Sequence, residues 1–141
     1  MAESVAFTYD GDPDSPASAQ RVRRIIVAWT SAADGTATGT SKKISGHLLK
    51  VTTDPGTAAP TASYDIVLTD DYSANILAKA ADDLADRHTS TTETVELMLL
   101  DYAGTPLAVS LRPVVCSPIT VDVSNAGDAK DGVIVIYWMP G

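Results

Sequence analysis

Cysteine is nearly missing from this chain: among 141 residues there is one, Cys116. An internal disulfide is therefore impossible, which suits a reducing cytosol. A chain of this length buries roughly two thirds of its unfolded surface and needs no such staple. Within the apolar run Val114-Val115-Cys116 the thiol reads as a small core residue rather than a nucleophile. Basic residues are scarce too, 10 against 18 acidic ones, for a net charge of −8. A protein that neutralises phosphates carries the opposite surplus, so nucleic acid is not an expected partner. No apolar run approaches the roughly 20 residues of a membrane-spanning helix. The opening Met1-Ala2-Glu3-Ser4-Val5 has neither the basic start nor the apolar core of a secretion signal, so the sequence predicts a soluble protein with no export signal.

Histidine is limited to His47 and His88. With one distant cysteine they do not make a zinc ligand set, and no Gly-x-Ser-x-Gly elbow supplies a nucleophile for a triad. Both read as surface histidines. The run Gly35-Thr36-Ala37-Thr38-Gly39-Thr40-Ser41-Lys42 has the look of a phosphate-binding loop. It fails on spacing, because Thr40 stands where the second glycine belongs and no helical pattern follows. Asp10, Asp12 and Asp14 alternate as in the first half of an EF-hand, but Ser15 replaces the glycine and Arg21 the bidentate glutamate. They read as solvated turn carboxylates, with a looser calcium site as the alternative. Catalytic residues, metal ligands and cofactor sites are thus not predicted, and the chain does not read as an enzyme.

What is present is a series of strand-sized apolar runs separated by Gly, Pro, Asp and Ser. No period of 20 to 50 residues recurs. Residues 1–19 read as an N-terminal arm or edge strand, and residues 20–141 as one domain. Val5, Phe7 and Tyr9 alternate ahead of the polar stretch from Asp10 to Pro16. They either add to a neighbouring subunit's sheet or pair as an edge strand of their own domain. Val22 to Thr30 is a strong strand, with Ile25, Val27 and Trp29 on one face and Val22, Ile26 and Ala28 on the other; both faces are expected to be covered. Arg21, Arg23 and Arg24 cluster at its start, as a solvated strand end or a contact for an acidic partner. Ser31 to Ser41 reads as a projecting loop of small residues.

Further strands are expected at Lys43–Thr52, Tyr64–Thr69, Thr94–Leu100, Leu107–Arg112, Ile119–Val123 and Val133–Met139. In the penultimate run Ile119, Val121 and Val123 face in while Thr120 and Asp122 face out. Residues 125–132 read as a long hairpin joining the last two. Trp29, Tyr137 and Trp138 fall in strands apolar on both faces, where burial accounts for them. One amphipathic helix is expected over Ser73–Arg87, with Ile76, Leu77, Ala80, Ala81 and Leu84 as its stripe and Asp70, Asp71 or Ser73 as its cap. Eight strands and one short helix give a mainly β fold: an antiparallel β-sandwich, jelly-roll-like.

A likeness of texture and order to a known family is carried by the segment Arg24-Ile25-Ile26-Val27-Ala28-Trp29-Thr30-Ser31, the run from Asp54-Pro55-Gly56 through Tyr64-Asp65-Ile66-Val67-Leu68-Thr69-Asp70, and Asn125-Ala126-Gly127 ahead of Gly132-Val133-Ile134-Val135. Over about residues 22–138 the chain resembles small structural proteins of tailed bacteriophages, in particular capsid decoration, or cement, proteins. The resemblance implies a homo-oligomer, with a trimer favoured, that binds the major capsid protein and strengthens the head shell. It implies a location on the virion surface after synthesis in the host bacterial cytoplasm. It brings no catalytic residues. Two other readings fit the same fold: a head–tail or tail component, and a carbohydrate-binding module for host attachment. The candidate partner contacts, read from the alternation of the first three and the clustering of the last three, are Val5, Phe7, Tyr9, Arg21, Arg23 and Arg24.

Overall fold

The computed structural model describes residues 2–11, 13, 22–76, 87, 89–96 and 112–141. Nine strands lie among them: β1 (Ser4–Asp10), β2 (Arg23–Thr30), β3 (Ala37–Thr40), β4 (Ile44–Pro55), β5 (Asp65–Thr69), β6 (Glu93–Glu96), β7 (Val114–Ser117), β8 (Thr120–Ser124) and β9 (Asp131–Pro140). They form two antiparallel sheets. The larger runs β1-β2-β9-β4-β6, with β7 pairing the first part of β4; the smaller runs β3-β8-β5. β9, the last strand in the chain, lies in the middle of the larger sheet, between β2 and β4. A register shift between Leu48 and Lys50 bends β4 where its partner changes from β7 to β6.

Alternation decides which side chains meet. Ile25, Val27 and Trp29 of β2, Leu48 and Val51 of β4, and Ile134, Ile136 and Trp138 of β9 are buried. They join Ile66 and Leu68 of β5 and Val121 and Val123 of β8 in a single core. Trp29 and Tyr64 meet with ring centroids 5.7 Å apart, tying the larger sheet to the start of β5. Burying a residue such as Ile25 or Leu68 contributes about 1.5–3 kcal/mol.

Several expectations need correction. The region 31–41 does not project: it contains β3, and Ser31, Gly35, Ala37 and Ser41 are buried. Its small side chains are what allow β1 to lie against it. A Cβ on Gly39 would come within 2.6 Å of Val5 and 3.0 Å of Phe7. Cross-strand polar pairs, Thr38 with Asp122 at 2.8 Å and Thr40 with Thr120 at 3.1 Å, supply the outward side of the β3–β8 ladder. Residues 125–132 do not form a hairpin, because β8 and β9 belong to different sheets. Ser31 holds this crossover, its hydroxyl donating to the Gly127 carbonyl at 2.5 Å and accepting from Lys130 N–H at 3.0 Å.

No helix occurs among the described residues. Of the expected helix, Ser73–Ile76 form a turn and an isolated bridge and Arg87 a bridge to Tyr64; 77–86 lie outside the described residues. The backbone of 74–76 is spent on the edge of β5, where Ile76 N–H donates to the Leu68 carbonyl at 3.0 Å. Of the expected strand Leu107–Arg112, only Arg112 is described, and it is not in a strand. β7 stands instead at Val114–Ser117, and its alternation buries Val115 while turning Cys116 outward. Cys116 is therefore not a core residue. On the second face of β2 Ala28 is exposed and Ile26 half-buried, and Val22, just before the strand, is 51% exposed.

Candidate interaction surfaces

β1 is an edge strand of its own chain, paired with β2 from Ser4↔Thr30 to Asp10↔Arg24. Val5, Phe7 and Tyr9 turn inward and rest against the core. Side chains of this segment also close the seam with the smaller sheet. Glu3 Oε2 accepts the Thr38 N–H at 2.9 Å, and Tyr9 Oη accepts the Lys42 N–H at 2.7 Å. Lys42 Nζ lies 5.4 Å from the centre of the Tyr9 ring. Backbone donors along the β3 edge are thus met by side chains rather than by another strand.

The arginine cluster is divided by strand alternation. Arg23 is 8% exposed and lies over the Trp138 ring at 5.6 Å. Arg24 turns to the outer face, where its Nε donates to Asp10 Oδ2 at 2.9 Å, and this hydrogen bond raises its pKa further. Arg21, Asp12, Asp14 and His88 lie outside the described residues, and Asp10 is occupied by Arg24. His47 is half-buried on β4, opposite Val114 and Met139. Among the described residues no three His, Cys, Asp or Glu side chains gather as a metal site.

Two surfaces remain. The outer face of the larger sheet carries an apolar belt, Ile26 beside Val135 and Ala28 beside Val133, with Ala6 next to Ala28. One row along runs Asp10, Arg24, Tyr137, Lys50 and Glu96 across five strands. Lys50 Nζ stands 4.7 Å from the centre of the Tyr137 ring. Tyr137 therefore lies on the outer face, while its neighbour Trp138 lies in the core. No family model, curated protein or solved structure matches the chain. No helix among the described residues is long and apolar enough to cross a membrane.

The second surface is a groove of about 420 Å³ between the turn after β5 and β7. Asp70, Asp71, Tyr72 and Ile76 form one bank, and Val114 and Cys116 stand on the other. Tyr72 is 89% exposed and Val114 67%. Sequence reading missed Tyr72 because the helical stripe that starts at Ile76 drew Asp70 to Ser73 into a capping role. The turn-forming composition of Asp70-Asp71-Tyr72-Ser73 was the available signal.

Proposed function

We propose that the protein is a non-enzymatic structural component of a phage virion. In this reading it is a capsid decoration protein that self-associates, as a trimer, and binds the major capsid protein at the head surface. Its two antiparallel sheets serve as the halves of a jelly-roll-like β-sandwich. The observation that carries the reading is the outer face of the larger sheet. Ile26, Ala28, Val133 and Val135 form a contiguous apolar belt on the neighbouring strands β2 and β9, bordered by the charged row at Arg24 and Lys50. An apolar patch with a polar rim suits docking against another protein surface. The resemblance of residues 22–138 to phage structural proteins gives that docking its context.

Quantitative mass spectrometry of purified virions tests the reading. The chain is expected at a fixed copy number on heads after DNA packaging. Its absence from particles rejects a virion role, and its recovery from tails alone moves it to the tail or head–tail reading.

A further inference from the structure

The turn from Asp70 to Ile76 is held by the Asp70 side chain and by its own backbone. Asp70 Oδ1 accepts the N–H groups of Tyr72 and Ala74, each at 2.9 Å. Ser73 N–H donates to the Asp70 carbonyl at 3.1 Å, and Asp70 N–H donates to the Ala74 carbonyl at 3.0 Å. Ser73 takes the left-handed conformation, φ 60°, that closes the turn. Asn75 bridges Thr69, and Ile76 returns to the edge of β5. Both ends of the turn are tied down while the Tyr72 ring stands in solvent. An aromatic side chain displayed on a pre-organised turn is a low-entropy anchor for a partner.

Charge then selects the partner. Among the described residues, the charged ones lining the groove are Asp70 and Asp71. The Asp70 Oδ1 oxygen is spent on the turn, and the chain as a whole carries a charge of −8. A second copy would bring the same carboxylates into apposition, which disfavours self-docking here. Ile76 and Val114 supply apolar contacts on the two banks, and the volume falls in the range of a binding cleft.

We propose that this groove docks a short basic segment of another protein. An arginine or lysine lies over the Tyr72 ring and against the Asp71 carboxylate, and a neighbouring aliphatic side chain rests between Ile76 and Val114. The chemistry of the groove is the same whether that partner belongs to a capsid or to another assembly.

Amide NMR of the full chain under reducing conditions tests this, with the blocked peptide Arg-Val-Arg-Val-Arg-Val as probe and its Glu-Val counterpart as control. The basic peptide is expected to shift amides of residues 70–76 and 114–117 in a saturable, salt-sensitive way. Tyr72→Ala and Asp71→Asn are each expected to weaken it about two- to fivefold. Tyr72 is exposed, so its loss leaves the fold intact, which the unchanged remainder of the spectrum verifies. No binding, equal binding of the acidic peptide, or shifts spread over the acidic surface and indifferent to both substitutions overturn the proposal. Concentration-dependent shifts at the same residues without peptide would assign the groove to a second copy and overturn it as well.

Discussion

Gly39 is where the two sheets come within touching distance, because its missing Cβ leaves room for Val5 and Phe7. Gly39→Ala forces β1 outward and is expected to cost about 1–3 kcal/mol, measured by urea denaturation. Gly46→Ala should cost more, because its Cβ would stand 2.0 Å from the Met139 carbonyl oxygen, where backbone rather than a side chain must move. Equal stabilities for the two variants and the parent would contradict this picture of close approach. Tyr64 provides a test at alkaline pH. Burial disfavours its phenolate and pushes its pKa up to about 12. In the unfolded chain the same hydroxyl ionises near 10, so between these values the unfolded state releases the proton first. Stability is therefore fully present below pH ~10 and falls as pH rises toward ~12, by up to a few kcal/mol. Tyr64→Phe is expected to flatten that part of the stability profile. A profile just as steep in the variant would remove Tyr64 as the cause.

At the scale of the element, β1 separates an arm that reaches another subunit from a strand that completes its own fold. Three inward side chains, seven paired residues and the edge-capping Tyr9 belong to it, and Glu3 just before it caps the same edge. Deleting residues 1–10 is expected to lower the stability of the isolated protomer by at least about 3 kcal/mol, roughly 10 °C in Tm. A truncated protomer with an unchanged Tm would restore the arm reading. Strands of this kind were legible in the sequence wherever alternation was strong. The pattern Ile119, Val121, Val123 against Thr120, Asp122 survives intact. β3 was not legible, because Ala37-Thr38-Gly39-Thr40 has no side chain large enough to mark a face, and its burial depends on what β1 lays over it. β7 was hidden because Val114-Val115-Cys116 looks uniformly apolar although only the middle residue is buried. The connection between β8 and β9 misled for another reason: a turn-rich loop between two strands has the same composition whether it closes a hairpin or changes sheets. For the candidate site, the inward grip of Val5, Phe7 and Tyr9 was readable from their spacing, whereas the turn that Asp70 closes to expose Tyr72 was masked by the helical stripe starting at Ile76.

For the whole molecule, the outer face of the larger sheet is the place where assembly is to be tested. Replacing both Ile26 and Val135 with Lys puts two charges into the belt at directly opposed positions. Sedimentation equilibrium is expected to show a trimer for the parent and a monomer for the variant. The variant protomer should stay folded, because the inward residues of β2 and β9 are untouched. A parent that is monomeric alone and on the particle would reject the trimer. The position of β9 has a further consequence, for the order in which the fold is made. β2 and β4 do not pair with each other; both pair with β9, more than seventy residues downstream of each in register, as in Thr53↔Ile134 and Val27↔Ile134. While the ribosome is still adding residues before 131, the larger sheet has no middle, and the apolar faces of β2 and β4 wait without their shared neighbour. Such distant pairing makes for slow folding and a long interval of exposure to aggregation or chaperone capture. The middle of the larger sheet can thus close only after β9 is made, when that strand slides between two that were made long before.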